Sequence, residues 1–283
     1  MRDEGVTARC APVEAPCRRG LDARERLKRS FSRAAATYER YGGLQHETAL
    51  TVARMAALHA PPSPPRVLDA GCGTGWCMEA FLRRRPDALV TACDLALPMV
   101  ERARSKGGAQ VACDFEALPF RDDAFHMVIS SLAYQWASSL DNALAEAARV
   151  LAPGGTLVFA TLASGTLREL RGCYRAAEEI VGGTGRTSFM DFAAAPEVEE
   201  ALRAAGFRYA ELEERPVVRR YAGLIDLLRT LKQIGALAPA AAGPAGLGAR
   251  RLIEETARLY KESFGDGPLP ATYNVLYARA RLA

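Results

Sequence analysis

The chain has 283 residues, 49% hydrophobic and 25% charged, with a net charge of +4. It is long enough to bury a full core, and its composition excludes a disordered or collagen-like polypeptide. No apolar run approaches the ~18 residues of a membrane span, and the weak positive charge does not point to nucleic acid. Seven cysteines at irregular spacing, none in a CxxC pair, give neither a disulfide framework nor a metal site. With no apolar segment near the N-terminus, the expected location is the reducing cytoplasm.

Residues 1–20 mix proline, glycine and charge without periodicity and are expected to form a disordered extension, leaving 21–283 as one domain. Helices are predicted over 21–41 and 44–59, and PPSPP at 61–65 stops the second. Strands then alternate with helices. RVLDA (66–70), ALVTACD (88–94), AQVACD (109–114), AFHMVISS (124–131) and TLVFATL (156–162) read as strands, with helices over 75–85, 97–106 and 139–151. Helices are expected over 165–181 and 196–205, then a strand over 207–214 and helices over 221–235 and 249–264. APAAAGPAGLG (238–248) reads as a linker or loop, and YNVLYARARL (273–282) as the last strand. The pattern is an α/β fold: a doubly wound, mostly parallel seven-stranded sheet with N-terminal helices and a helical insertion before the last strand.

The sharpest motif is VLDAGCGTGW (67–76), in which a buried strand delivers Asp69 and Gly71, Gly73 and Gly75 follow at alternate positions. Such a turn lets backbone pass close to a ligand at the carboxyl end of a parallel strand. The dinucleotide pattern GxGxxG fails, because its sixth position is Trp76. Asp94 ends the second strand, where a carboxylate accepts from ribose hydroxyls; Asp114 ends the third. Each aspartate also has a purely local use, Asp69 as a cap for the next helix and Asp94 and Asp114 as turn residues. His126 opens a strand and is expected to be structural. His46 and His59 read as surface residues.

GxGxG with an upstream Asp, the strand-end Asp94 and Asp114, and ARVLAPGGTLVFAT (148–161) resemble the S-adenosylmethionine-dependent methyltransferase superfamily, with residues 66–162 as the cofactor-binding core. The resemblance implies a Rossmann-like methyltransferase fold. It places Asp69, Gly71, Gly73, Gly75, Asp94, Leu95, Met99, Asp114, Phe115, Leu132 and Gln45 around S-adenosylmethionine, with Asp114 at the adenine amino group. The flanks FSRAAATYERYGGLQ (31–45), FATLASGTLREL (159–170), RTLKQIGA (229–236) and PLPATYNVLYARA (268–280) are similar to one family, the malonyl-acyl-carrier-protein O-methyltransferases that begin biotin synthesis.

That resemblance implies methylation of the free carboxylate of a malonyl thioester on acyl carrier protein, or on coenzyme A, with no metal required. A carboxylate is already ionised at neutral pH, so no catalytic base is expected. Residues 163–195 and 215–270 are expected to form the substrate side. Lys232 and Arg229, three apart on a helix, are candidate partners for the malonyl carboxylate, with Tyr38, Trp136 and Tyr273 around the acceptor. Tyr134 is expected to leave the fourth strand beside Trp136. Arg168, Arg171, Arg175, Arg219, Arg220, Arg250 and Arg251 are candidates for docking the acidic carrier. Two other readings stay open at this point: a methyltransferase for a quinone-type small molecule, and a non-catalytic S-adenosylmethionine-binding partner protein.

Overall fold

The computed structural model describes residues 18–182, 190–236 and 247–283. The expected extension lies outside the described residues as far as 17, and so does most of the expected 238–248 loop. The first helix, α1 (Arg18–Ala34), already contains residues 18–20. It stops well short of 41. Thr37 turns the chain by donating its hydroxyl to the Gln233 carbonyl at 3.0 Å, a tertiary anchor invisible to helical periodicity. A single turn, α2 (Tyr38–Tyr41), follows, then α3 (Gly43–His59). α3 buries Leu44, Thr48, Ala49, Val52, Ala53 and Ala56 at helical spacing, and ends where prolines 61 and 62 force extended backbone.

The sheet strands are β1 (Arg66–Ala70), β2 (Leu89–Asp94), β3 (Ala109–Ala112), β4 (Phe125–Ser131), β5 (Leu151–Leu162), β6 (Phe207–Tyr221) and β7 (Leu269–Leu282). Their spatial order is β3-β2-β1-β4-β5-β7-β6. The first five are parallel, and β7 runs antiparallel between β5 and β6. The intervening helices are α4 (Trp76–Leu82), α5 (Leu97–Ala103), α6 (Leu140–Val150), α7 (Arg168–Val181), α8 (Ala195–Ala204), α9 (Leu224–Gln233) and α10 (Leu247–Phe264).

Alternation along the strands splits the core between two faces. Val67, Met127 and Ile129 pack with α3 and α4 on one side, while Leu68 and Val128 pack with α6 and α8 on the other. Winding proceeds outward from β1 to β3 and restarts at β4. The switch between β1 and β4 opens a crevice at the carboxyl ends of both, where open α/β sheets take ligands.

β6 runs to Tyr221 rather than 214, and β7 begins at Leu269 rather than 273, because the two pair along their whole length. Pro216 is tolerated because β6 is an edge strand with amides to spare. β5 starts at Leu151 rather than 156, taking in Pro153–Gly155, with a register shift against β4.

Candidate active site

The glycine turn occupies the crevice. Gly71 and Gly73 have φ of +73° and +54°, a region in which L side chains are strained. A Cβ on Gly71 would stand 2.3 Å from the Cβ of Ala133 at the exit of β4, so only hydrogen fits. The Gly71 and Cys72 amides both donate to the Cys93 carbonyl at 2.8 Å, tying the turn to β2. Asp94, at the tip of β2, accepts from the Gly73 amide through Oδ2 and from the Ala96 amide through Oδ1, both at 2.9 Å. Burial pushes its carboxyl up, and these two amides oppose the shift. Each oxygen keeps lone-pair capacity for a further donor.

Asp69 is fully buried and accepts from the Met78 amide in the first turn of α4 at 2.9 Å. Its other oxygen has no hydrogen-bond partner among the described residues. Burial pushes the carboxyl up to about 7. Between the ordinary carboxylate value and that pH, the native state holds a proton that the unfolded chain has released. This group's contribution to stability therefore declines as pH rises across the window. Asp69→Asn stays neutral and keeps an oxygen for the Met78 amide. It is expected to gain on the parent protein progressively from pH 5 to 8, reaching about 2–4 kcal/mol. Urea denaturation of both proteins across that range checks this, and a pH-independent difference would refute it.

A cleft opens over the turn. Of the residues expected there, Gly71, Gly73, Asp94, Leu95, Met99, Phe115, Leu132, Tyr38 and Trp136 line it. Leu132 does so with φ of +52°, one of few non-glycine residues in that region, at the point where β4 gives out into the cleft. Tyr38 lies on α2, its ring 5.6 Å from Trp76, whose other neighbours include the exposed but ring-packed His46 at 4.9 Å. Burial and the nearby Asp94 charge hold the Tyr38 phenol well above its ordinary pKa, so it stays protonated.

The α1 residues that roof the cleft were not among those expected there. Arg24, Leu27, Lys28 and Phe31 of α1 line it from above. Arg24 donates to Asp114 through Nε at 2.7 Å and again through Nη2, to the Trp136 carbonyl at 2.9 Å, and pairs with Glu116 at 2.8 Å. Its guanidinium stands 5.0 Å from the centre of the Phe115 ring. Asp114 does not line the cleft: its carboxylate accepts from Arg24 and from the Glu116 amide. The available signal was helical spacing, since Arg24, Leu27 and Phe31 share one face of α1.

Other expected residues fall elsewhere. Gly75 is the N-cap of α4, where a Cβ would meet that of Ala103 at 3.0 Å, so it sets the approach of α4 to α5. Gln45 and Tyr273 line a second cavity. Arg229 and Lys232 are exposed on α9 and line neither cavity. Leu224, Leu227 and Leu231 form the buried stripe of α9, with Arg229 opposite and Lys232 beside it, a phase legible in the sequence. Tyr134 is buried against Phe115 and Phe159. His126 accepts from the Arg66 amide at 3.1 Å at the start of β4, away from the crevice, and His59 is exposed at the end of α3. Arg171 is paired with Asp191, Arg250 with Glu254 and Arg168 with Glu169, and Arg168 and Arg175 are exposed on α7. Among the described residues no helix is long and apolar enough to cross a membrane.

A family model described as a methyltransferase domain matches residues 68–159, which span the glycine turn, Asp94 and the strands around them. The backbone matches phosphoethanolamine N-methyltransferase 2 of Haemonchus contortus, solved with S-adenosylhomocysteine, with a TM-score of 0.57 at 18% identity, covering 92% of this chain and 60% of that one. Fold and crevice thus define a methyltransferase of the Rossmann-like class. Across 261 residues the chain is 37% identical to the malonyl-[acyl-carrier protein] O-methyltransferase of Geobacter sulfurreducens, covering 90% of this chain and 97% of the relative. It is also 33% identical to the biotin biosynthesis bifunctional protein BioHC of Saccharophagus degradans, covering 88% of this chain and 45% of the relative. The chain belongs to the malonyl-[acyl-carrier protein] O-methyltransferase family.

Proposed function

We propose that this protein methylates the free carboxylate of a malonyl thioester carried on acyl carrier protein, with S-adenosylmethionine as donor, giving the methyl ester that primes biotin synthesis. The observation that carries the reading is the cradle of Gly71, Gly73 and Asp94 beneath α1, in a chain matching a relative of that name over nearly all of the relative's length.

The cleft suits the donor. Asp94 offers both oxygens to ribose hydroxyls, Leu95, Met99 and Phe115 supply apolar walls for a base, and the hydrogen-only flank at Gly71 leaves room for close approach. When bound, S-adenosylmethionine supplies a methyl carbon made electrophilic by its sulfonium. In the lining, Asp94 already accepts from the Gly73 and Ala96 amides and Tyr38 is held protonated, and the reaction asks for no general base from either. None is needed, because the acceptor oxygen is already anionic. The protein's part is alignment and exclusion of water: α1 and Tyr38 roof the site, and Arg24 pins α1 to the sheet edge. Exposed Arg168 and Arg175 suit steering of an acidic carrier.

The test is labelled methyl transfer to malonyl-carrier, acetyl-carrier and malonyl-coenzyme A. Transfer to malonyl thioesters alone is expected. Transfer to acetyl-carrier, or to no malonyl thioester, would overturn the reading, and turnover of a small-molecule acceptor instead would favour the quinone-type alternative.

A further inference from the structure

We propose that the acceptor carboxylate is received in the second cavity by the guanidinium of Arg219 together with the hydroxyl pair of Tyr221 and Tyr273. The inference rests on the reading of the protein as a carboxylate methyltransferase, and it replaces Lys232 and Arg229 as the cationic partner.

The cavity lies between the α2–α3 junction, the end of β6, α9 and Tyr273. Its position relates it to the donor cleft. Tyr38 at the start of α2 lines the cleft, and Tyr41 at the end of the same turn lines the cavity, so the two adjoin across one helical turn.

Register decides which side chains face in. Val217, Arg219 and Tyr221 alternate along β6 opposite Tyr273, Ala271 and Leu269 of β7, on the sheet face covered by α3. Arg220 also borders the cavity, but it lies one residue out of phase and donates to the Pro268 carbonyl at 3.3 Å. Arg219 is therefore the lining cation that shares the tyrosines' face.

The tyrosine hydroxyls are 2.9 Å apart. One donates to the other, and the second retains an O–H proton with no acceptor in the pair. Burial pushes both phenols up, and the charge of Arg219, two residues from Tyr221 on the same strand face and lining the same cavity, acts on both in the opposite direction. A cation beside an unspent phenolic donor, in a half-enclosed cavity, is a receptor for an anionic oxygen. The present partner of Arg219 is Glu47 of α3, whose side chain is 61% exposed. Such a surface pair is weak and exchangeable, so a ligand carboxylate can take its place. A planar carboxylate matches the guanidinium fork, whereas the methyl ester product has lost the charge that held it, which favours release.

Steady-state kinetics of Arg219→Ala, Arg219→Lys, Tyr273→Phe and Glu47→Ala with malonyl-carrier test this, alongside calorimetry of S-adenosylmethionine and of malonyl-pantetheine. Arg219→Ala is expected to raise KM for malonyl-carrier at least tenfold with donor affinity unchanged, Arg219→Lys to recover part of the loss, and Tyr273→Phe to raise KM by a smaller factor. Glu47→Ala is expected to lower KM or leave it alone. If Glu47→Ala reproduces Arg219→Ala, the arginine serves only the surface ion pair and the proposal fails. It fails equally if the loss appears in Lys232→Ala and not in Arg219→Ala. The pantetheine arm separates the two readings. Binding to the parent protein that is lost in Arg219→Ala, without turnover, would overturn the methyltransferase reading and keep the receptor; turnover with an unaffected Arg219→Ala would do the reverse.

Discussion

Gly71→Ala is expected to destabilise the protein by about 3 kcal/mol and to abolish donor binding. The new methyl would stand 2.3 Å from the Ala133 Cβ, and neither atom can rotate away because both are fixed to backbone. The turn or the exit of β4 must shift, an overpacking cost of about 1–3 kcal/mol. To this is added about 1–2 kcal/mol for a side chain at φ of +73°. Adding Ala133→Gly removes the collision but not the backbone cost. The double variant should therefore be more stable than Gly71→Ala and less stable than the parent. Chemical denaturation checks the order, and a Gly71→Ala protein as stable as the parent would contradict the packing of β1 against β4.

Asp94→Ala is expected to weaken S-adenosylmethionine at least tenfold by calorimetry. Hydrogen bonds to a charged group contribute about 1.5–3 kcal/mol each, and two ribose hydroxyls would lose theirs. The same change removes the acceptor for the Gly73 and Ala96 amides, so the glycine turn also loses its tether to β2. Asp94→Asn should be little better. Both carboxylate oxygens accept from backbone N–H groups, and an amide must turn its NH2 towards one of those donors. Full affinity in Asp94→Asn would show that the site does not need a two-oxygen acceptor, and unchanged affinity in Asp94→Ala would remove the ribose assignment.

The cofactor side of the site was legible because its parts are contiguous. A buried strand, a glycine turn with its backbone at positive φ and an acidic strand end each announce themselves within a few residues, and Leu95 and Met99 follow from the helix just after Asp94. The acceptor side proposed above was not. Arg219 and Tyr221 follow the expected end of β6, and β6 extends that far only because β7 pairs with it across some fifty residues of chain. Lys232 stands three residues from Arg229 in the sequence, but the leucine stripe of α9 turns it outward.

The sequence alone determined the alternating strands and helices, the glycine turn and the carboxylate at the tip of β2, since strand period, turn chemistry and helix spacing are properties of neighbouring residues. Only the tertiary structure decided that Arg24 takes the Asp114 carboxylate from 90 residues away, that Gln45 and Tyr273 belong to a separate cavity, and which arginines face inward. Those outcomes depend on which distant surfaces meet and in what register. In a chain with 37 basic residues, no single arginine carries that information.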